Sequence, residues 1–141
     1  VTGVQTCALS DLGRTRTTGG RENGAARSSD GRLDVRLSTP GSARIGTNPE
    51  QLLAAGWSAC LESAIALAAR KREIVLPEAV SIDAEVDLHV ADGGSFISAR
   101  FNISMPGVER GVARALVDAA HENCPYSKAT RGNVEVAINL V

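Results

Sequence analysis

Apolar and polar residues alternate along three long stretches of the chain, which predicts β-strands that each bury one face. Two of these stretches, near 80–90 and 95–105, are joined by Asp92-Gly93-Gly94 and are expected to form a hairpin. The third stretch, 134–140, predicts a terminal strand. The alternating apolar residues of the first strand are Ile82, Ala84, Val86, Leu88 and Val90.

Shorter alternating runs precede these strands. Residues 21–28 and 32–37 flank Ser29-Asp30-Gly31, whose residue types favour a tight turn, and together they predict a β-hairpin. Residues 14–18 are expected to be what remains of an earlier strand, and 38–46 are expected to form a loop.

Apolar residues at spacings of three and four predict two helices. The first has Pro49 at its first helical position and Glu50 in its first turn, both typical of a helix start, and is expected to reach about residue 72. The second is expected near 109–123 and is ended by Pro125. The stripes predicted to face the core are Leu53, Trp57, Cys60, Ala64 and Leu67 in the first helix, and Val112, Leu116 and Ala119 or Ala120 in the second.

The composition favours one globular α+β domain over 13–141, because 43% of the 141 residues are hydrophobic and 22% are charged. Fifteen basic residues nearly balance sixteen acidic ones, which argues against a nucleic-acid partner. No apolar run is expected to approach the roughly 20 residues of a membrane span, so no membrane partner is predicted. Three cysteines are too few for a secreted disulfide framework, and we expect a cytoplasmic protein.

Residues 1–12, VTGVQTCALSDL, differ from the rest because they show neither helical nor strand periodicity. They resemble the translation of a sequencing-library adapter, so they are interpreted as a non-native segment; a disordered natural terminus is the alternative. Both interpretations exclude Cys7 from the chemistry of the protein.

The two remaining cysteines, Cys60 and Cys124, both fall at helical positions. Considered singly, each is more typical of a small buried hydrophobic residue than of a reactive group. A zinc site is a further alternative, since His121 and Cys124 share a helix face, but the chain has no CxxC motif and no metal is predicted. His121 and Tyr126 are expected to pack or hydrogen-bond around Cys124 rather than to transfer protons.

The sequences around the two cysteines resemble the two cysteine motifs of the organic hydroperoxide resistance family. The first motif is matched by 47–60, TNPEQLLAAGWSAC, and the second by 120–133, AHENCPYSKATRGN. Upstream, TGGR at 18–21 and SDG at 29–31 match in the same order. The extended form of the second motif favours this branch over its osmotically inducible sister branch. Trp57 and Leu61 stand where the family often has Tyr and Phe, a departure that bears on the shape of the pocket.

The resemblance implies an α+β, OsmC-like fold in which antiparallel sheets pack around two central helices of an intertwined homodimer. It also implies a thiol peroxidase that reduces organic hydroperoxides to alcohols without a cofactor. By the same resemblance the reductant is a dithiol, specifically a lipoyl group carried by another protein. The apolar residues near Cys60, which are Leu53, Trp57 and Leu61, are expected to favour alkyl or fatty-acid hydroperoxides over hydrogen peroxide.

Four residues take catalytic roles by their match to the family motifs. Cys60 is similar to the peroxidatic cysteine and Cys124 to the resolving cysteine, while Arg21 corresponds to the active-site arginine and Glu50 to the carboxylate that holds it. Attack on the peroxide would give a sulfenic acid on Cys60, which Cys124 would convert into a disulfide.

Ionisation of the thiol does not account for the whole reaction. A free thiol is roughly 3% ionised at pH 7, so full ionisation gains at most about thirtyfold, and a lower pKa also weakens the nucleophile. A guanidinium can hold the thiolate and donate to the peroxide oxygens as charge develops on the departing alkoxide. We therefore expect Arg21 to act on the reacting atoms and Glu50 to orient it.

The spacing of Glu50 and Cys60 limits how the two residues cooperate. Ten residues of straight helix separate them by about 15 Å and by roughly 80° around the axis. Three arrangements are open: Arg21 spans part of the gap, the helix is interrupted, or Glu50 comes from the partner chain of a homodimer.

Two other functions remain open. One is a peroxidase of the osmotically inducible branch with broader peroxide use. The other is a non-enzymatic protein that binds a small apolar ligand and has inert cysteines.

Overall fold

The computed structural model describes residues 12–141, so Cys7 and nearly all of the adapter-like segment lie outside the described residues. The described chain divides into two compact units, one ending at Pro49 and the other comprising Glu50–Val141. Each unit is described by itself, and the expectation of a single domain over 13–141 stays a prediction.

The first unit contains a three-stranded antiparallel sheet in the order β1-β2-β3. Its strands are β1 Thr15–Thr18, β2 Ala25–Ser28 and β3 Asp34–Arg36, with a helical turn, α1 Gly20–Asn23, between the first two. The predicted hairpin is confirmed, with Ala26 paired to Val35. The predicted strand over 21–28 is too long, because 21–23 belong to α1. Gly19, at φ 79°, adopts the left-handed conformation that starts this turn.

The second unit contains two long helices, a short third helix and a mixed three-stranded sheet. In the order β4-β5-β6, β4 and β5 are antiparallel, with Val86 opposite Ala99, while β6 runs parallel to β5. The expectation of antiparallel sheets alone is therefore wrong for β6. The elements are α2 Pro49–Lys71, β4 Ser81–Ala91, β5 Gly94–Ser104, α3 Arg110–Asn123, α4 Pro125–Thr130 and β6 Glu135–Leu140.

The core of this unit forms where α2 and α3 bury side chains together with β5. The Trp57 ring meets the Phe101 ring edge-on, with centroids 4.9 Å apart. The residues that α2 buries differ from the predicted stripe, and Trp57 is the one residue common to both. Of the other predicted residues, Leu67 is exposed and Cys60 is half-buried beside the core. In α3, Leu116 and Ala120 are buried as expected, but Val112 is exposed. The buried residues of α2 are Trp57, Leu61, Ile65 and Ala69.

Helix α2 is continuous over 23 residues, and its most apolar window has a mean hydropathy of 1.6. By length and composition alone it could cross a membrane, which corrects the expectation that no apolar segment reaches that length. Within the unit, its buried stripe contributes to the core described above. Its continuity also excludes an interruption between Glu50 and Cys60 as the explanation of their spacing.

Pro125 ends α3 as predicted, but it also begins α4, a short helix that the sequence pattern did not indicate. A proline at the first helical position loses no hydrogen bond there, because the first N–H groups of a helix lack a partner within it. The chain therefore turns at Cys124 and continues as a second helix.

Candidate functional site

The two cysteines meet although 64 residues separate them in the chain. Cys60 lies on α2 and Cys124 at the junction of α3 and α4, with their Sγ atoms 3.1 Å apart. Both are free thiols. A disulfide has an S–S length of about 2.05 Å, so an approach of roughly 1 Å would link the two sulfurs.

The backbone on both sides of Cys124 holds its thiol in place. Its N–H donates to the Ala120 carbonyl at 2.7 Å, and its carbonyl accepts from the Lys128 N–H at 2.9 Å. Its ψ of 125° is extended, the conformation that a following proline favours. Because one residue caps both helices, a change in either helix would move this sulfur.

The surroundings of Cys60 in the second unit oppose its ionisation overall. Burial raises the pKa of the Cys60 thiol, and the hydrogen bond and charge of the Cys124 sulfur raise this pKa further. The Tyr126 backbone N–H lowers the pKa by donating to the Cys60 sulfur. Two adjacent thiols favour a single shared negative charge, because the charge of one thiolate opposes ionisation of the other thiol.

A buried serine joins the elements around the thiol pair. The Trp57 indole N–H on α2 donates to Ser127 Oγ on α4 at 3.2 Å, and this oxygen lies 2.9 Å from His121 Nδ1 on α3. Burial lowers the pKa of His121, and the charge of Arg131 acts in the same direction, so a neutral ring is favoured at pH 7. With Nδ1 unprotonated, the Ser127 hydroxyl donates to it and accepts from the indole, which satisfies all three groups.

Tyr126 packs against α2 one turn before Cys60. A Cβ atom at Gly56 would lie 3.3 Å from the Tyr126 hydroxyl oxygen and 3.6 Å from Cε2, so the absence of a side chain at Gly56 lets the ring approach the helix. His121 and Tyr126 therefore pack and hydrogen-bond near the cysteines as expected, whereas sequence reasoning did not single out Ser127. The sequence feature that could have pointed to Ser127 is its position, two residues after Pro125 and inside the second cysteine motif.

An open cleft of about 580 Å³ begins at Cys60. Its wall includes Ala64 and Leu67 of α2 and Pro125 of α4, but none of the residues expected to line a substrate pocket. Trp57 and Leu61 have no exposed surface, and Leu53 is half-buried against the core. Contact of a substrate with Trp57 or Leu61 would require these side chains to move.

The other predicted site residues lie at defined places in the fold. Arg21 belongs to α1 of the first unit, and Glu50 lies in the first turn of α2. Along the continuous helix, Glu50 is about 15 Å from Cys60. Among residues 12–141, no group of three or more His, Cys, Asp or Glu side chains is placed to hold a metal ion.

Comparison with known proteins identifies the family. The sequence pattern of the family described as OsmC-like protein matches residues 39–139. The organic hydroperoxide resistance protein of Xanthomonas axonopodis pv. citri is 47% identical over 127 residues, which cover 87% of this chain and 89% of the relative. The chain belongs to the organic hydroperoxide resistance branch of the OsmC family.

Solved structures of this branch have the same fold. The crystal structure of the organic hydroperoxide resistance protein OhrB of Bacillus subtilis matches with a TM-score of 0.86 and 40% identity, covering 93% of this chain and 98% of that one. The organic hydroperoxide resistance protein OsmC of Legionella pneumophila also matches with a TM-score of 0.86, at 39% identity, and the match covers 94% of this chain and 98% of the other. The α+β, OsmC-like fold expected from the cysteine motifs is thereby established.

The serine network gives a stability prediction. Ser127→Ala is expected to lower the free energy of unfolding by about 1–3 kcal/mol, because the buried indole N–H of Trp57 loses its acceptor. Urea denaturation measures this change. Ser58→Ala is the matched control: among residues 12–141 its hydroxyl bonds only to the carbonyls of its own helix, Ala54 and Ala55, so its effect should stay within about 0.5 kcal/mol. Equal losses in the two variants would contradict a structural role for Ser127.

Proposed function

We propose that this member of the organic hydroperoxide resistance branch is a two-cysteine peroxidase that reduces organic hydroperoxides to alcohols. The observation that carries the proposal is the approach of the Cys60 and Cys124 sulfurs to 3.1 Å, both as thiols. Relatives named for resistance to organic hydroperoxides support the substrate class.

The difference in burial between the two sulfurs supports their division of roles. Cys60 is half-buried and lies on the wall of the open cleft, whereas Cys124 has no exposed surface. A peroxide therefore reaches Cys60 first. The Cys60 thiolate attacks the outer peroxide oxygen, the O–O bond breaks, and the alkoxide takes a proton to leave as the alcohol.

Resolution of the sulfenic acid follows from the short S–S distance. Cys124 attacks the sulfur of the Cys60 sulfenic acid, a disulfide forms, and the hydroxyl leaves as water. A dithiol, of which a lipoyl group on another protein is our candidate, then reduces the disulfide and restores both thiols. Such a disulfide is opened in every turnover, which is compatible with the cytoplasmic location that we propose.

Because the pKa of Cys60 is raised, we infer that a cation from elsewhere in the chain stabilises its thiolate. We assign this role to Arg21, whose guanidinium stays charged and can donate to sulfur and oxygen together. Glu50 orients Arg21 in this proposal. Because α2 is continuous, two of the arrangements considered for Glu50 stay open: Arg21 spans part of the gap, or Glu50 acts across a homodimer.

The proposal is tested by the peroxide specificity of the wild-type protein with dihydrolipoamide as reductant. We expect kcat/KM for tert-butyl and cumene hydroperoxide to exceed that for hydrogen peroxide by at least about tenfold, since an apolar cleft wall favours alkyl groups. Similar values for all three would favour the broader use of the osmotically inducible branch. No peroxide consumption, with both thiols intact, would favour a binding protein with inert cysteines.

A further inference from the structure

A single residue separates α3 from α4, and the proline after it interrupts the helical hydrogen bonds. In a continuing helix each N–H group donates to the carbonyl four residues earlier, and here those carbonyls belong to His121 and Glu122. Pro125 has no N–H, and the Tyr126 N–H donates to the Cys60 sulfur instead. The last turn of α3 therefore needs donors from outside its own backbone.

Arg131, the residue that ends α4, supplies these donors. Its guanidinium nitrogen Nη2 donates to the His121 carbonyl at 2.7 Å and lies 3.3 Å from the Glu122 carbonyl oxygen. A positive charge beside the last carbonyls of a helix is also favoured by the helix dipole. The far end of α4 is thereby tied back to the last turn of α3.

A bond between side chains crosses the same junction. His121 lies three residues before Cys124 and Ser127 three residues after it, and Nδ1 of the first is 2.9 Å from Oγ of the second. Burial lowers the pKa of His121 and the Arg131 charge lowers it further, whereas Asp118 opposes the shift. The ring is therefore neutral at pH 7 and accepts from the hydroxyl. We call His121, Ser127 and Arg131 the junction clasp.

Disulfide closure depends on this junction more directly than attack on the peroxide does. Cys60 lies within α2, whereas Cys124 is the junction residue itself, and its S–H donates to Cys60 Sγ at 3.1 Å. During closure the S–O bond of the Cys60 sulfenic acid breaks, the S–S bond forms, and the Cys124 proton leaves with the hydroxyl as water. A misplacement of about 1 Å can slow such a step by about 100-fold.

We propose that His121 and Arg131 are positioning residues for disulfide closure, because they hold the ends of α3 and α4 together and so keep Cys124 in place to attack the Cys60 sulfenic acid. This inference rests on the proposed peroxidase function. Both residues act through the backbone on either side of Cys124. The junction clasp thereby shortens the lifetime of the sulfenic acid and protects it from a second peroxide, which would oxidise it to a sulfinic acid.

His121→Asn and His121→Gln form a matched pair of variants. Both replace the ring with a neutral amide, but only the Asn oxygen is bonded to Cγ, as Nδ1 is, so only Asn keeps an acceptor at that place. Stopped-flow consumption of stoichiometric tert-butyl hydroperoxide measures attack, and acid quenching followed by mass spectrometry measures closure. Attack should stay within about threefold of wild type in both variants. Closure should do the same in His121→Asn but slow by about 10- to 100-fold in His121→Gln.

The arginine is tested in the same assay. Arg131→Gln should slow closure by a similar factor, and Arg131→Lys should recover part of the rate, because an ammonium keeps the charge and can donate to a carbonyl. Arg110→Gln is the matched control, since it removes the same charge from the exposed first residue of α3 and should change neither step. With excess peroxide, the variants that close slowly should accumulate sulfinic acid on Cys60.

Three results would overturn the inference. They are equal closure rates in His121→Asn and His121→Gln, equal closure rates in Arg131→Gln and Arg110→Gln, and a parallel loss of attack and closure, which a general destabilisation would produce. Failure of the peroxidase proposal itself would appear differently, because tert-butyl hydroperoxide would then leave both thiols of the wild-type protein unoxidised.

Discussion

Cys60→Ser is expected to abolish reduction of tert-butyl hydroperoxide, while Cys124→Ser should lose turnover but keep one oxidation event per chain. Without the Cys60 sulfur, residues 12–141 retain only the Cys124 thiol, which is fully buried. Without Cys124, a sulfenic acid forms on Cys60 but has no thiol 3.1 Å away to condense with. Stopped-flow peroxide consumption measures the turnover, and trapping with a sulfenic-acid reagent followed by mass spectrometry measures the single event.

Cys7→Ser provides the matched control for both variants. It removes a third thiol that the proposed mechanism does not use, so turnover should match that of the wild-type protein. Trapping of a sulfenic acid on Cys124 in the wild-type protein would reverse the assigned roles. Undiminished peroxide consumption by all three variants would show that the cysteines do not carry the reaction.

Arg21→Ala is expected to slow the attack on the peroxide by about 100- to 1,000-fold, the loss typical of removing one donor to a developing oxyanion. Removal of this guanidinium would also leave Cys60 with a raised pKa and no compensating cation. Glu50→Ala should slow the attack less, because Arg21 keeps its charge and loses only the carboxylate that orients it. The rate of the first oxidation, measured as a function of pH, separates loss of thiolate from loss of stabilisation of the alkoxide.

Two further variants sharpen this comparison. Arg21→Lys keeps the charge but not the two-pronged donor, so it should recover only part of the rate. Arg16→Ala removes a comparable charge from β1 of the same unit and should leave the rate unchanged. A larger loss in Glu50→Ala than in Arg21→Ala would contradict the assignment of Arg21 as the acting group and Glu50 as the orienting one.

Much of the secondary structure was predictable from local pattern. The start of α2 follows from Pro49 and Glu50, and the long strands β4 and β5 follow from alternation, looser in β5, on the two sides of a glycine turn. Such features depend on backbone preferences within a few residues, so they persist in the folded chain. The cysteine motifs led to the correct family in the same way, because they are continuous in sequence.

Other elements depended on contacts that no local pattern records. The apolar stripe predicted for α2 contained Cys60 and Leu67, but the buried face is rotated toward Leu61 and Ile65. Several faces of this alanine-rich helix are apolar enough to be buried, and only the position of the sheet selects one of them. The parallel pairing of β6 with β5 is equally invisible to alternation, which is the same for both strand directions.

The sequence by itself determined the family, the two long helices, the long strands and the two thiols that could react. Tertiary structure alone decided that Cys60 and Cys124 lie 3.1 Å apart, that Ser127 joins Trp57 to His121, and that a cleft extends from Cys60 to Lys71. The reason is physical: propensity and periodicity act over a few residues, whereas these contacts join residues far apart in the chain. Such contacts exist only once burial of the shared core has brought α2, α3 and α4 together.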